Sequence, residues 1–352
     1  MKSYFRKEID AITGYVPGEQ PKMTNLVKLN TNENPYPPSP RIRGILQNFD
    51  PGELRRYPDP CCDALRDEIA ALHGVKRENL IVGNGSDDLL TMIFRAFSSP
   101  ELPVVIPSPT YSLYPVLAAM QGAECRRISL DGESFALPGD FSRRAAGANL
   151  CLIARPNAPT GTAFPRETLR SFCAGFDGMV VIDEAYADFA DDNCMDFATE
   201  FPNVLVMRTF SKSYALAGIR LGYAVGNPVV IDGLMKLKDS YNVDRLTQKI
   251  GIAAVTDREY FLGRCADVRR ERARLARELA ALGFKVTPSQ ANFLFVSPPD
   301  RDAAGYFAKL RAESVIVRYF PNDPATAKFV RITVGAPKEN DRLLTVTSRI
   351  YQ

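Results

Sequence analysis

The hydrophobic pattern of the first two thirds of the chain predicts short buried strands that alternate with helices. Five runs are apolar at nearly every position, which indicates strands buried on both faces. They cover residues 80–82, 104–106, 150–154, 179–183 and 204–207. Between them, helical periodicity predicts helices such as residues 64–73, which would end at Gly74, and residues 89–97. This alternation favours an α/β fold with a mostly parallel sheet covered by helices.

The two ends of the chain show different patterns. After residue 228 the pattern predicts helices at residues 230–240 and 258–281, then strands at 284–286, 293–296, 315–318 and 329–334. These elements predict a smaller α+β domain. Residues 1–40 are rich in proline and predict an extended arm. The arm is either a flexible tail or a strap over another subunit, and its tyrosines and asparagines favour the strap. We therefore expect an arm (1–40), a large domain (41–245) and a small domain (246–352).

Composition narrows the classes of function. The 352 residues carry a net charge of +3, which gives no reason to expect nucleic acid or a membrane surface as partner. No apolar run has the length of a membrane span, and the first residues lack the apolar core of a signal peptide. We expect a cytoplasmic protein that acts on small molecules.

Cysteine and histidine offer little for metal or triad chemistry. The seven cysteines are odd in number and lack CxxC spacing, which disfavours a disulfide framework and a zinc site. Cys151 and Cys173 lie in apolar sequence and are expected in the core. The single histidine, His73, precedes Gly74 and is expected to cap a helix. We expect no metal, so the chemistry has to come from lysine, tyrosine, carboxylates or a cofactor.

Several polar residues follow the predicted strands, where ligands of parallel sheets collect. The turn at Gly85 and Ser86 joins a strand to a helix N-terminus and predicts an anion site, with a plain capped turn as the alternative. The other residues of this group are Tyr111, Asn157, Asp183, Tyr186 and Lys212.

Lys212 and Asp183 predict the central chemistry. Lys212 follows a buried strand, with hydroxyl-bearing residues before it and small residues after it, which is the setting expected of an imine-forming lysine. The alternative is a solvated lysine in a polar loop. Asp183 ends an apolar strand and needs a cationic partner, such as a pyridinium nitrogen. Tyr186 could then contact the ring oxygen and Tyr111 could stack on the ring. Arg318 and Arg331, on two predicted strands, could bind anionic substrate groups or be ordinary surface arginines.

Nine stretches carry a resemblance to a known family, and they span nearly the whole chain. They are LNTNENPYPPSP, RRYPDP, VGNGSDDLL, PSPTYSLY, RPNAPTG, VVIDEAYADF, RTFSKSYALAGIRLGY, DSYNVDRLTQ and FVRITVG. The sequence resembles the class I/II pyridoxal-phosphate-dependent aminotransferases of fold type I, and more narrowly the histidinol-phosphate aminotransferase family. The resemblance implies a seven-stranded, mostly parallel sheet, pyridoxal 5'-phosphate as cofactor, a homodimer with shared active sites, and amino transfer between histidinol phosphate and 2-oxoglutarate.

The same resemblance implies a role for each matching residue. Lys212 would form the Schiff base, Asp183 would pair with the pyridinium nitrogen, and Tyr186 with Asn157 would contact the ring oxygen. The remaining cofactor-binding residues would be Gly85, Ser86, Asp87, Tyr111, Thr209, Ser211 and Arg220, with Tyr57 from a neighbouring subunit. The substrate-binding residues would be Tyr15, Asn34, Arg318 and Arg331, with Arg331 on the α-carboxylate and Arg318 with Tyr15 on the phosphate.

One departure and three alternatives stay open at this point. The family's turn often has two asparagines before Pro-Thr-Gly, whereas this chain has Asn157 and Ala158, so the asparagine contact with the ring is Asn157 or is missing. An aromatic amino-acid aminotransferase and a phosphothreonine-type decarboxylase share the Lys212 apparatus. A binding or regulatory protein without activity would not need an imine-forming lysine.

Overall fold

The structure is a computed structural model that describes residues 3–351, and these residues form three β-sheets flanked by helices. The strands are β1 (Val27–Lys28), β2 (Leu80–Gly83), β3 (Val104–Ser108), β4 (Cys125–Ser129), β5 (Leu150–Ala154), β6 (Met179–Asp183), β7 (Val204–Thr209), β8 (Gly222–Gly226), β9 (Lys285–Val286), β10 (Phe293–Ser297), β11 (Val315–Ile316), β12 (Arg318–Tyr319) and β13 (Val330–Thr333).

The α-helices vary from one turn to more than six turns. They are α1 (Lys7–Asp10), α2 (Arg41–Asn48), α3 (Asp63–His73), α4 (Ser86–Phe97), α5 (Leu113–Met120), α6 (Phe141–Ala145), α7 (Arg166–Gly175), α8 (Phe197–Glu200), α9 (Pro228–Met235), α10 (Arg245–Thr256), α11 (Arg258–Ala281), α12 (Ala303–Ala312) and α13 (Pro337–Tyr351). Short 3-10 helices lie at Pro51–Arg55, Arg77–Asn79, Ala187–Phe189 and Ala217–Ile219.

A seven-stranded sheet in the order β2-β8-β7-β6-β5-β3-β4 forms the centre of the fold. Its strands are parallel except β8, which runs antiparallel to both of its neighbours, β2 and β7. Successive residues of β6 point into different hydrophobic cores: Val180 and Ile182 into one, and Val181 into the other. The prediction of a mostly parallel sheet covered on both faces is therefore confirmed.

A second sheet, antiparallel and four-stranded, has the order β12-β13-β10-β9 and packs over a third hydrophobic core that includes residues of α11, α12 and α13. The predicted strand at residues 315–318 is divided at Val317. Its first part, β11, pairs in parallel with β1 of the N-terminal arm, whereas β12 pairs with β13. The arm is thus anchored to the C-terminal part of the chain by a small sheet of its own. The domain boundaries at residues 40 and 245 stay a prediction.

Two sequence-based predictions about helices are wrong in detail. The helix predicted at residues 230–240 begins at Pro228 and ends at Met235, and the chain then makes turns up to Tyr241. His73 does not act as a cap: its Nε2 lies 2.8 Å from the Tyr223 hydroxyl, and burial lowers its pKa to about 4. The helix instead ends on Gly74, which has the left-handed conformation (φ +65°) that glycine adopts without strain.

The structure also shows where the cysteines lie and how long and how apolar the helices are. All seven cysteines are free thiols, and Cys151 and Cys173 are buried as expected. Among residues 3–351, every helix is either too short or too polar to pass through a bilayer.

Candidate active site

A cavity of about 1030 Å³ lies beyond the carboxyl ends of the central strands, where Ser108 ends β3, Ala154 ends β5, Asp183 ends β6 and Thr209 ends β7. Most of the predicted site residues line this cavity. They are Tyr15, Ser86, Asp87, Tyr111, Asp183, Tyr186, Thr209, Ser211, Lys212, Arg220, Arg318 and Arg331. Four predicted residues are outside the lining, namely Asn34, Tyr57, Gly85 and Asn157.

Asp183 is a buried carboxylate without a cationic partner among the described residues. Its side chain accepts hydrogen bonds from the Tyr114 hydroxyl at 2.6 Å and from the Ala185 main-chain N–H at 3.1 Å. Only 6% of the residue is exposed, and burial raises the pKa of its carboxyl to about 6 despite these two hydrogen bonds. When ionised, Asp183 therefore presents an unpaired negative charge that a positively charged group of a ligand could neutralise.

Lys212 lies in the loop between β7 and β8. Its Nζ donates a hydrogen bond to the Thr31 carbonyl oxygen at 3.1 Å and lies 6.0 Å from the centre of the Tyr186 ring. Burial, reinforced by the positive charge of Arg331, lowers the pKa of Lys212 to about 8. A lysine with such a pKa is neutral in a useful fraction of molecules near neutral pH and can act as a nucleophile or base.

Asn34 holds the loop that carries Lys212, although it does not line the cavity. Its Nδ2 donates to the main-chain oxygens of Lys212 at 3.0 Å and Ser213 at 3.1 Å. The residue therefore contacts the lysine's backbone and not the space for a ligand.

Tyr186 projects its hydroxyl into a part of the cavity wall built by the N-terminal arm. The hydroxyl accepts a hydrogen bond from Asn32 Nδ2 at 2.9 Å, and the ring packs edge-on against Phe293. Burial raises the pKa of Tyr186, so the hydroxyl keeps its proton. No local sequence pattern indicates Asn32 as a partner, because 154 residues separate the two side chains.

The turn before α4 and the side chain of Arg220 form one end of the cavity. Arg220 has a left-handed backbone (φ +53°), which is uncommon for a residue with a side chain. Its guanidinium donates to Ser211 Oγ at 3.4 Å and to Asp87 Oδ2 at 3.5 Å. It also lies so close to Gly85 that a Cβ there would be 2.8 Å from Arg220 Nη2. The N-terminus of α4, beginning at Ser86, and the guanidinium thus converge as an anion site.

Gly222, the first residue of β8, makes this convergence possible. A Cβ at Gly222 would lie 2.6 Å from the Ser86 main-chain nitrogen and 2.9 Å from the Gly85 carbonyl carbon. Because the obstructing atoms belong to the backbone, a side chain here would displace the turn.

Tyr111 and Tyr15 form an aromatic wall. Their rings meet edge to face with centroids 5.7 Å apart, and the Tyr111 hydroxyl donates to Asp87 Oδ1 at 3.3 Å. Tyr15 belongs to the arm, so the arm contributes directly to the cavity.

Arg318 and Arg331 lie directly opposite one another on β12 and β13. Arg318 donates to the carbonyl oxygens of Val16 at 3.0 Å and Pro17 at 3.1 Å, and Arg331 donates to the Asn30 carbonyl at 2.9 Å. Within residues 3–351, the buried Nε of Arg331 has no hydrogen-bond partner and neither arginine pairs with a carboxylate. Burial lowers the pKa of Arg331. Two adjacent guanidinium groups without anions make a second anion site.

Asn157 is fully buried and its amide is already engaged. Its Nδ2 donates to the Pro109 carbonyl at 3.0 Å and to Thr160 Oγ1 at 2.9 Å, while its Oδ1 accepts from Thr110 Oγ1 at 2.9 Å. The residues that line the cavity at this turn are Pro156, Ala158 and Pro159, whose side chains carry no hydrogen-bond donor. Both amide protons of Asn157 are thus used inside the protein, and its predicted contact with a ring stays a prediction that this geometry does not favour.

Tyr57 lies apart from the cavity and is 75% exposed. Its ring stacks on Tyr241 with centroids 4.3 Å apart. Within one chain the tyrosine is therefore not a neighbour of the Arg220 anion site.

A buried ionic network lies next to Lys212 and was missed in the sequence. Arg208 donates to Glu184 Oε2 at 2.7 Å and to Asp188 Oδ1 at 2.6 Å, and Ser213 Oγ donates to Asp188 Oδ2 at 2.6 Å. The network joins the turn that carries Tyr186 to the loop that carries Lys212. The sequence does contain an indication of this network. Glu184 and Arg208 lie at the ends of segments that are otherwise apolar, and a charged residue buried there needs a partner of opposite charge.

The comparisons with known proteins agree on one family. The family profile described as aminotransferase class I and II matches residues 24–346. The chain is 44% identical to histidinol-phosphate aminotransferase 1 of Trichormus variabilis, over 98% of this chain and 98% of that protein. It is 45% identical to histidinol-phosphate aminotransferase 2 of Thiobacillus denitrificans, over 97% and 96% of the two chains.

Solved structures share the fold over nearly the whole chain. The crystal structure of histidinol-phosphate aminotransferase from Sinorhizobium meliloti in complex with pyridoxal-5'-phosphate has a TM-score of 0.88, with 24% identity and 99% of both chains covered. L-threonine-O-3-phosphate decarboxylase from Porphyromonas gingivalis has the same fold with a TM-score of 0.81, 21% identity, and 92% of this chain and 99% of that chain covered. With full-length relatives at more than 40% identity and a profile match over most of its residues, the chain belongs to the class I and II aminotransferases and, within them, to the histidinol-phosphate aminotransferase family.

Proposed function

We propose that this protein is a pyridoxal-phosphate-dependent aminotransferase that moves an amino group between histidinol phosphate and 2-oxoglutarate. The observation that carries the proposal is the presence, in one cavity, of a buried lysine with a lowered pKa and a buried carboxylate without a cation. Neither feature stabilises a folded protein, so both point to a ligand.

The described residues fit pyridoxal phosphate. Asp183 would pair with the ring nitrogen, and the anion site at Ser86, Ser211 and Arg220 would hold the phosphate, with Lys212 lining the same cavity. Bound pyridoxal phosphate supplies an aldehyde that forms an imine with amines and a ring that withdraws electrons from the amino carbon. Tyr111 would provide a flat surface beside that ring.

Lys212 has the properties needed to move a proton at the substrate's amino carbon. Burial keeps part of the population neutral near pH 8, and the hydrogen bond from Nζ to Thr31 keeps the amine in place. Arg331 contributes positive charge that further disfavours the ammonium form. The lysine would therefore serve first as the imine-forming amine and then as the base and acid of the transfer.

The pair Arg318 and Arg331 suits both proposed substrates. Histidinol phosphate carries a phosphate one methylene group from its amino carbon, and glutamate carries a carboxylate on the same carbon. Both present an oxyanion on one side of the amino carbon, where two guanidinium groups can bind it in bidentate fashion. The buried Nε of Arg331, which has no partner within residues 3–351, would gain one.

We further propose a homodimer in which Tyr57 reaches the phosphate site of the neighbouring subunit. In its own chain Tyr57 is exposed and apart from the cavity, which is compatible with a role across a subunit boundary. Light scattering together with a Tyr57→Phe variant tests this: we expect a mass of two chains and weaker cofactor binding. A monomer with parental affinity would contradict it.

The decisive assay compares amino donors. We expect transfer from histidinol phosphate to 2-oxoglutarate to be faster than transfer from phenylalanine, with no release of carbon dioxide from threonine phosphate. A faster reaction with phenylalanine would favour the aromatic aminotransferase, and decarboxylation of threonine phosphate would favour the decarboxylase. Failure of all three reactions in protein that binds the cofactor would favour a non-catalytic role.

A further inference from the structure

Asn32 lies where the N-terminal arm meets both functional side chains of the cavity. The main-chain oxygen of its neighbour Thr31 accepts the hydrogen bond from Lys212 Nζ, and its own Nδ2 donates to the Tyr186 hydroxyl at 2.9 Å. Only 1% of Asn32 is exposed, and its backbone has the left-handed conformation (φ +55°). A buried asparagine held in this conformation indicates a constrained position.

The orientation of the Asn32 amide follows from its other hydrogen bonds. Its main-chain N–H donates to Thr333 Oγ1 at 3.0 Å, so the Thr333 hydroxyl proton is available for Asn32 Oδ1, 3.2 Å away. The Asn292 side chain donates to the Asn32 carbonyl at 3.0 Å. With Oδ1 occupied by Thr333, the amide nitrogen has to face Tyr186.

The direction of this bond determines where the Tyr186 proton points. A tyrosine hydroxyl that accepts from an amide keeps its own proton for another acceptor. Among the described residues the Tyr186 hydroxyl has no acceptor, so the proton is directed to the cavity. The neighbouring turn offers no substitute donor, because Ala158 lines the cavity there and the amide protons of Asn157 are used elsewhere.

We propose that Asn32 is a positioning residue that turns the Tyr186 hydroxyl proton toward the ring oxygen of the cofactor. This inference rests on the proposed pyridoxal-phosphate function. It assigns the contact with the ring oxygen to Tyr186 alone, supported by Asn32, in place of the contact expected from Asn157.

The proposal has a spectroscopic consequence. A hydrogen bond donated to the ring oxygen stabilises its negative charge, most of all after the imine nitrogen has lost its proton. Removal of the donor therefore raises the apparent pKa at which the absorption of the bound cofactor changes. A charge-assisted hydrogen bond corresponds to about one pKa unit, so we expect an upward shift of about one unit for Tyr186→Phe and roughly half a unit for Asn32→Ala.

The experiment is a double-mutant cycle read by pH titration of the cofactor's absorption in the loaded protein. We expect the double variant Asn32→Ala/Tyr186→Phe to titrate at the same pH as Tyr186→Phe, because Asn32 acts only through Tyr186. Asn32→Asp has nearly the same shape but can only accept, so it should draw the tyrosine proton to itself and match the shift of Tyr186→Phe. This variant also serves if Asn32→Ala does not fold.

A control separates positioning from general stability. Asn203 donates its amide protons to the Phe176 and Gly178 carbonyls, away from the cavity. Asn203→Ala should lower stability and leave the titration unchanged. A parental titration in both Asn32 variants would overturn the proposal, and so would additive shifts in the double variant. Failure of the proposed function is a separate result, because it would appear in the parent protein as absence of amino transfer from histidinol phosphate.

Discussion

The substitution Asp183→Asn should stabilise the folded protein in the absence of cofactor and weaken its binding of the cofactor. Asp183 is buried, and its two hydrogen-bond donors, Tyr114 and Ala185, are neutral. Asparagine has nearly the same shape and carries no charge. The variant therefore removes the cost of burying an ionised carboxylate while it keeps the packing.

The magnitude follows from the pKa of this carboxyl. Burial raises the pKa of Asp183 to about 6 from an ordinary value of 3.8. One pKa unit corresponds to about 1.4 kcal/mol, so the ionised carboxylate lowers the free energy of unfolding by about 3 kcal/mol at about pH 8. Because the folded-state pKa is the higher one, this cost is absent at low pH and develops as the pH rises from about 4 to about 6. The advantage of the variant should fall to about half near pH 5 and vanish near pH 3.

Urea denaturation of the cofactor-free proteins measures this difference. The chain has no tryptophan, so circular dichroism is the suitable signal. We expect Asp183→Asn to unfold at higher urea than the parent at about pH 8, and the difference to shrink at lower pH. With excess pyridoxal phosphate present the advantage of the variant should shrink to less than about 2 kcal/mol, because loss of a charge-assisted hydrogen bond weakens cofactor binding about tenfold to hundredfold, or about 1.4 to 2.7 kcal/mol. A less stable variant at about pH 8, or a difference independent of pH, would refute the reasoning.

Three further substitutions test other parts of the site. Arg331→Lys keeps the positive charge but loses bidentate contact, so steady-state kinetics should show a KM for the amino donor that is raised about tenfold or more. An unchanged KM would contradict the role of Arg331 in substrate binding. Gly222→Ala places a methyl group against the Ser86 main-chain nitrogen, so equilibrium dialysis should show cofactor affinity reduced at least about tenfold; parental affinity would mean that the turn is not part of the anion site. Glu184→Gln leaves the buried charge of Arg208 less well paired, so urea denaturation should show a loss of about 3 kcal/mol, and parental stability would show that the pair is not important.

The fold could be predicted where strands are buried on both faces. The segments 150–154 and 179–183 are apolar throughout and became β5 and β6 with little change. By contrast, β4 lies at the edge of the sheet and contains two arginines, and β8 has a glycine at each end. Such segments have no distinctive pattern, because their pairing depends on neighbours that are distant in sequence.

The residues of the candidate site also differ in how far the sequence predicts their positions. Lys212 and Asp183 could be predicted because Asp183 ends one apolar strand and Lys212 follows another, and the carboxyl ends of these strands meet at one edge of a parallel sheet. The pairing of Arg318 with Arg331 depends on strand register, and thirteen residues of separation do not determine register. Asn32 meets Tyr186 only because the arm folds back over the cavity, so no local pattern could indicate that contact.

The most direct test of the account is amino transfer from histidinol phosphate to 2-oxoglutarate, measured for the parent protein and for Lys212→Ala. Lys236→Ala provides the matched control, since Lys236 is exposed and, among the described residues, pairs only with Asp232 on the surface of α9. We predict that the parent and Lys236→Ala catalyse the transfer and that Lys212→Ala loses at least about a thousandfold in turnover. Parental turnover in Lys212→Ala would contradict the central claim.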